Sequence, residues 1–443
     1  MMKKVALSLA GLLAAAAFAP EASALPVFAR QVGMACNACH FQHYPLLNAF
    51  GRSFKASGFT LMGAEAKVEG DNLSIPAVVN AAVLTSMGYE KTNATRAPGP
   101  LNTSAGGSPT GGFYVAGYGG EASLFLGGRG SDFMGFLTEV TMGDGAAAVD
   151  SFKTPILADV GGGFRAGIVP FTTNGQGASY GFETLNTGAN AVHSITNTVG
   201  FMNQYIAAVS AQQYINTAQA ATGASVVAVG DMGFINITKF AQAGPAGNAA
   251  GMGWTGLTST YARLAWTGDL GGWDSGLGIQ NWSGQSLNND PALVATPTQF
   301  QTKATAIDGQ MQGAIGSLPV GFYFSYAKAP VSTTAGLQNE FNMGTKDRSS
   351  FNIDAEVGVI PEKATIGAAI RAGKSGVADA AGSNTTDNAV FLTATYKLAQ
   401  NLLARLSYVT QSGSFWDQPS GLGGTNATDF GKSSYTLNLY ALY

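Results

Sequence analysis

The sequence predicts an all-β protein, a 16-stranded antiparallel β-barrel of the outer-membrane type preceded by a short N-terminal segment of coil and helix. Three observations predict it. Charged residues are 11% of the chain, against about 25% in an ordinary globular domain, and glycine occurs 60 times in 443 residues. Beyond the N-terminus no window approaches the ~18 uninterrupted apolar residues of a membrane helix. From about Ile75 onward the hydrophobic period is two, and short and long connections alternate. Membrane barrels alternate lipid-facing with lumen-facing residues along each strand, and have short turns on one side and long loops on the other.

The N-terminus reads as a secretory signal. Lys3 and Lys4 precede an apolar run from Val5 to Phe18, and Ala22-Ser23-Ala24 is a small-residue cleavage pattern. The run is too short to cross a bilayer as a helix, so residues 1–24 are expected to be removed after Ala24. The mature chain then divides into a segment at 25–74 and a barrel at 75–443.

Within the barrel, the long connections are expected at 89–112, 144–153, 175–221, 243–258, 285–301, 330–348, 374–386 and 412–432. The short turns lie near 127–131, 161–163, 230–232, 268–274, 316–319, 360–363 and 398–400. Strand parity follows. Phe351, Ile353, Ala355, Val357 and Val359 share one face opposite Asn352, Asp354 and Glu356; Phe322, Phe324 and Tyr326 oppose Tyr323 and Ser325. Leu402, Ala404, Leu406 and Tyr408 oppose Arg405 and Ser407. The final strand carries Tyr435, Leu437, Leu439, Ala441 and Tyr443 at alternate positions and ends on an aromatic, like the C-terminal strand of outer-membrane proteins. An even strand count returns both barrel ends to the periplasmic side, so residues 25–74 start from that mouth. The third long connection has about 47 residues, which is uncommon for a loop without a function. Its stretch TVGFMNQYIAAVSAQQYI has room for a helix, and parity does not say whether the loop lies inside or outside the barrel.

The chemistry is concentrated near the N-terminus. Both cysteines and two of the three histidines fall between Cys36 and His43. Cys36-Asn37-Ala38-Cys39-His40 after an export signal reads as a c-type haem attachment site: two thiols on one turn bond the haem vinyl groups, and His40 becomes the proximal iron ligand. Zinc would need further ligands that this cysteine-poor chain does not supply. A thioredoxin-like site would need a βαβ setting, which is absent from the pattern. The distal ligand stays open. Met62, twenty-two residues beyond His40, leaves enough chain to fold over a haem; His43 is the alternative, three residues away on nearly the same helical face, and the position without a protein ligand is the third case. Thioether ligation would raise the haem potential.

Residues 25–74 number roughly fifty, barely enough for a core of their own. They are therefore expected to sit in the barrel mouth as a plug, with the lumen wall completing the pocket. Phe28, Phe41, Phe50, Phe54 and Phe59 are candidates to pack on the macrocycle. Arg30, Arg52 and Lys55 are candidates to pair with its propionates. Arg263, Arg371, Arg405 and Glu356, whose parity points into the lumen, are the expected neighbours. A net charge of −3 gives no support to nucleic acid as a partner.

LPVFARQVGMACNACHFQHYPLLNAFGRSFKASGFTLMG closely resembles the N-terminus of the fused outer-membrane cytochrome–porins of iron-oxidising bacteria. The matching residues are Phe28-Ala29-Arg30-Gln31, Cys36, Cys39-His40-Phe41, Pro45, Asn48, Phe50-Gly51-Arg52 and Phe54-Lys55. The close match covers about forty residues; beyond it only length and strand pattern agree. The resemblance implies an oxidoreductase that takes electrons from extracellular Fe(II) and passes them through one haem c to a periplasmic carrier, a cytochrome or a cupredoxin. Fe(II) lies low in the divalent affinity order, so a transient site of loop oxygens would suffice. Asp144, Asp150, Glu183, Asp290, Glu340, Asp347, Asp379, Asp417 and Asp429 are the loop candidates, each also a plain solvating charge; His193 is expected to be structural or solvent-facing. Two rivals stand beside this reading: a haem-plugged porin for small solutes, and an electron conduit whose donor is not Fe(II).

Overall fold

A computed structural model describes residues 27–443, apart from 64, 72, 96–110, 118, 144, 175–179, 189–209, 219, 245–255, 289–297, 333–335 and 421–423. The signal peptide, Asp144, Asp290 and His193 lie outside the described residues.

The sheet closes on itself as a 16-stranded antiparallel barrel. Its strands are β1 (Ala81–Thr92), β2 (Gly111–Ala116, resuming at Ala122–Arg129), β3 (Gly135–Gly143) and β4 (Ala146–Lys153, resuming at Ile156–Gly161). There follow β5 (Phe164–Thr173), β6 (Ala221–Gly230), β7 (Gly233–Ala241), β8 (Ser259–Leu270), β9 (Trp273–Asn288) and β10 (Ala304–Ile315). The circuit ends with β11 (Leu318–Ala329), β12 (Arg348–Ile360), β13 (Ala364–Ala378), β14 (Asn384–Ala399), β15 (Leu402–Ser412) and β16 (Ser433–Leu442). β16 pairs with β1 in the register Leu437↔Tyr89, and Tyr443 and Val83 exchange backbone hydrogen bonds of 2.6 and 3.0 Å. Closure removes the free edges that an open sheet would present.

The barrel is inside-out. Val226, Ile235, Ile237, Leu264, Leu277, Ile279, Ile353, Ile366, Leu392, Leu406 and Leu437 are exposed, whereas Asn236, Thr238, Gln280, Asn352, Asp354, Thr393, Ser407 and Asn438 on the alternating positions are buried. The expected face parity holds along β11 and β12, from Arg405 in β15 and up to Asn438 in β16. A wall apolar outside and polar inside suits strands that cross lipid. Among the described residues no helix is long and apolar enough to cross a membrane.

Some boundaries differ from expectation. Residues 146–153, expected in a long loop, form strand β4, so the connection from β3 is a tight turn. The connection expected at 374–386 narrows to 379–383, because β13 and β14 keep pairing to Ala378↔Asn384. Residues 146–153 (AAAVDSFK) lack strict apolar–polar alternation and residues 374–386 are polar and glycine-containing, whereas the backbone ladder that extends these strands needs no alternation.

The third long connection folds inward. Tyr180, Glu183, Thr187, Ser210, Gln212 and Thr217 are fully buried. A short helix, α3 of the chain (Ala211–Tyr214), stands where the sequence left room for one, while the remainder of the expected stretch lies largely outside the described residues. Tyr180 sits in the lumen with Tyr261 and Trp282, its ring centroid 4.7 and 5.9 Å from theirs.

Residues 27–63 occupy the barrel mouth that carries the short turns. Gln42 donates to Pro319 O at 2.9 Å, Asn37 to Glu362 at 2.7 Å, and Arg165, which follows the 161–163 turn, donates to Ser57 O at 3.2 Å. The segment contains helices α1 (Val27–Val32) and α2 (Ala49–Ala56) and a 3-10 turn at Cys36–Ala38. A hairpin of Lys67–Gly70 with Leu73–Pro76 then leads into β1, so the barrel wall begins at Ala81.

Candidate haem-binding site

The Cys36–His40 stretch is a single tight turn. Cys39 N and His40 N both donate to Cys36 O, at 3.2 and 2.9 Å, which brings the two cysteines and the histidine round one turn of chain. Neither cysteine is in a disulfide, and both remain half-exposed. Desolvation raises both thiol pKa values, so the sulfurs are protonated at neutral pH.

Local packing holds the turn. Asn48 caps α2 by accepting from Gly51 N at 2.9 Å, and its amide reaches back to Ala38 O at 3.0 Å. Asn48 N donates to Cys39 O at 2.9 Å. The helix approaches so closely that a Cβ on Gly51 would lie 2.2 Å from Cys39 O. This explains glycine there on steric grounds alone.

His40 is oriented by backbone. Its Nδ1 lies 3.2 Å from Leu46 O, and a carbonyl can only accept, so Nδ1 carries the hydrogen and Nε2 keeps its lone pair. Desolvation lowers the His40 pKa to about 4, leaving the imidazole neutral, the form that ligates metal. Two reachable thiols on one turn, followed by a neutral imidazole with its second nitrogen fixed, fit the attachment of a c-type haem. Cys36, Cys39 and His40 would hold it.

His43 is engaged elsewhere. Its Nε2 lies 2.7 Å from a Glu356 carboxylate oxygen on β12 and its Nδ1 2.7 Å from Tyr44 O, with both side chains buried. Both ring nitrogens are therefore taken, and His43 serves as a tie between plug and wall. Met62 is half-buried at the far end of the segment. The neighbouring Gly63 donates to Gln31 O at 3.0 Å, and Gln31 donates to Phe59 O and Leu61 O at 2.8 and 2.7 Å, so this strip is fastened to α1.

Two of the three candidates for the propionates have wall partners in the described structure. Arg30 donates to Ala81 O at 2.5 Å. Arg52 pairs with Asp274 at 2.5 Å, keeping its Nη1 buried without a hydrogen-bond partner. Lys55, its pKa lowered by desolvation, lies within the field of Glu183. A cavity of about 470 Å³ runs along the outer face of α2 past Arg52, Ser53, Arg165 and Asp274; Cys36, Cys39 and His40 do not line it.

Three of the five expected aromatic neighbours are likewise committed. Phe28 packs 4.6 Å from Phe59 and 5.0 Å from Phe54, and these rings with Val32 of the plug and Leu137 of β3 form a small core between plug and wall. Phe50 is exposed and Phe41 half-exposed. Of the lumen residues expected nearby, Glu356 touches the segment through His43, and Arg405 lies in the field of Tyr44 while stacking 5.4 Å over Tyr440. Arg263 is instead enclosed by Asp308 and Glu183, and Arg371 by Asp387 and the Tyr214 ring.

The loop carboxylates are not gathered. Glu183 is buried in the lumen against Arg263, Asp347 pairs with Lys328 at 2.7 Å, and Asp379 caps its own turn at Ala381 and Ser383. Asp417 lies 3.5 Å from Lys432, and Asp429 is buried against Ser420. Among the described residues no group of three or more His, Cys, Asp or Glu side chains is placed to hold a metal ion.

Sequence reasoning missed Asn186. This third-loop residue bonds both backbone atoms of Leu47: Leu47 N donates to its Oδ1 at 2.8 Å and its Nδ2 donates to Leu47 O at 2.9 Å. Only the length of its loop hinted at a role.

No protein-family model and no curated protein matches the sequence. Among solved structures the chain is similar to OmpT of Vibrio cholerae, at 12% identity and a TM-score of 0.44 over 85% of this chain and 99% of that one. It is similar to the outer membrane channel DcaP of Acinetobacter baumannii at 9% identity and a TM-score of 0.44, covering 82% and 97% of the two chains. OccK1 of Pseudomonas aeruginosa matches at 12% identity and a TM-score of 0.40, covering 82% and 98%.

Proposed function

We propose that this protein is an outer-membrane electron conduit that oxidises extracellular Fe(II) and hands single electrons to a periplasmic carrier, a cytochrome or cupredoxin, through one haem c. The observation that carries the reading is the Cys36–His40 turn, with His40 Nδ1 tied to Leu46 O and Nε2 left for iron, seated in the mouth where both barrel ends emerge. Bound there, a haem c supplies one-electron chemistry, which matches a one-electron donor. Fe(II) as the donor rests on the N-terminal resemblance.

The chain's own residues hold, orient and shield. Cys36 and Cys39 anchor, His40 ligates, Asn48 and Gly51 press α2 onto the turn, and His43 with Glu356 ties the plug to β12. Arg30 and Arg52 fasten the plug to the wall at two further points. Oxidising iron outside the cell also keeps insoluble Fe(III) out of the periplasm.

A second reading, a haem-plugged porin for small solutes, draws on the 16-stranded closure and the polar lumen wall, features of water-filled barrels. Vesicles carrying the protein separate the two. With Fe(II) outside and an oxidised cytochrome enclosed, the conduit reading expects reduction of the enclosed cytochrome without solute-driven swelling. Swelling in small sugars without that reduction favours the porin.

A further inference from the structure

We propose that Asn186, on the third loop, is a positioning residue that polarises the proximal imidazole through the Leu46–Leu47 peptide. The inference rests on the haem reading above and concerns what sets the electron affinity of that site.

The peptide between Leu46 and Leu47 is bonded at both ends. Its carbonyl accepts from Phe41 N at 2.8 Å and, with its second lone pair, lies 3.2 Å from His40 Nδ1, and its N–H donates to Asn186 Oδ1 at 2.8 Å. The orientation of the Asn186 amide is fixed, because its Nδ2 donates to Leu47 O at 2.9 Å and so its oxygen must face Leu47 N. An amide that donates through its N–H carries more electron density on its carbonyl, and hydrogen bonds in series strengthen one another. The Leu46 carbonyl therefore pulls harder on the His40 Nδ1 hydrogen. A ligating histidine whose second nitrogen donates strongly is the more basic ligand, and a more basic axial ligand favours ferric iron.

Asn186 can act this way because it is immobilised. It is 4% exposed, and its N–H donates to Gln310 Oε1 on β10 at 2.7 Å. The next residue, Thr187, donates to Asp308 at 2.6 Å, and Asp308 is held by Arg263 and Gln280. Glu183, three positions earlier, accepts from Thr184 N and Leu185 N at 3.0 and 2.9 Å and adds a carboxylate to Arg263. Both ends of the third loop rise to the face that bears the long connections, as β5 and β6 end and begin there. Asn186 is thus where a loop from that face touches the turn that holds the ligand.

The test is potentiometry of the full-length protein in detergent, with hydrogen exchange at the Leu47 amide as a second readout. Asn186→Ala removes the acceptor and is expected to move the midpoint to more positive potential and speed Leu47 exchange, with covalent haem content unchanged. Asn186→Asp keeps an acceptor oxygen and is expected to give no positive shift. Thr187→Val loosens the loop without touching the peptide and is expected to leave the potential near wild type. An unchanged potential in Asn186→Ala, or equal positive shifts in all three variants, overturns the assignment while leaving the haem reading intact. Wild-type protein without covalent haem overturns the haem reading itself, and this inference with it.

Discussion

At His43 a carboxylate and a carbonyl occupy the two ring nitrogens, while Met62 lies on a strip fastened to α1 through Gln31 and Gly63. This division makes distinct predictions. Met62→Ala should lower the haem potential and open a coordination position, read by binding of an external ligand in the visible spectrum. His43→Leu should leave that spectrum unchanged but strand Glu356 as a buried charge, costing about 3 kcal/mol, read as a lower urea midpoint for the plug. A silent Met62→Ala together with a spectral change in the His43 variant would transfer the ligand role to His43. At this scale the sequence was informative where the signal is local. Cys36, Cys39 and His40 declare themselves by spacing within one turn. The partners of Arg30 and Arg52 did not, since Ala81 and Asp274 lie 51 and 222 positions away. The apolar character of Phe28, Phe54 and Phe59 is visible in sequence, whereas their packing on one another is not.

Helix α2 shows how one element serves the site. Its N-cap, Asn48, holds both the helix and Ala38, and Gly51 lets the helix touch Cys39. Gly51→Ala would place a methyl group within 2.2 Å of Cys39 O, and that backbone cannot yield without moving the turn. The expected outcome is loss or distortion of the haem signal with the barrel still resistant to heat in denaturing electrophoresis; a wild-type spectrum would show the contact to be dispensable. Strands were the most legible elements, because alternation reports burial on a pleated ladder directly. Their outer ends were less so: residues 146–153 pair in β4 without apolar alternation and were read as loop. The inward course of the third loop was undecided from sequence, because Tyr180, Glu183 and Asn186 have partners on β7, β8 and β10 and in the plug, none of them near in sequence.

In the whole molecule, the plug sits in the short-turn mouth and the described parts of the third loop lie in the lumen behind it, with Asn186 joining the two. Such a barrel is expected to conduct little. Single channels of the intact protein in planar bilayers should show far lower conductance than an open barrel of equal strand number; steady conductance at porin level would contradict the prediction. On the proposed reading the barrel would hold the N-terminal turn, and the Fe(II) proposal can be measured at that turn. Anaerobic mixing of the purified, oxidised protein with Fe(II), followed in the visible spectrum, tests it most directly. The account predicts sharpened bands of reduced haem in the wild type and none in a Cys36→Ala/Cys39→Ala protein with an intact barrel. Haem that stays oxidised in excess Fe(II), yet is reduced by a strong chemical reductant, would contradict it.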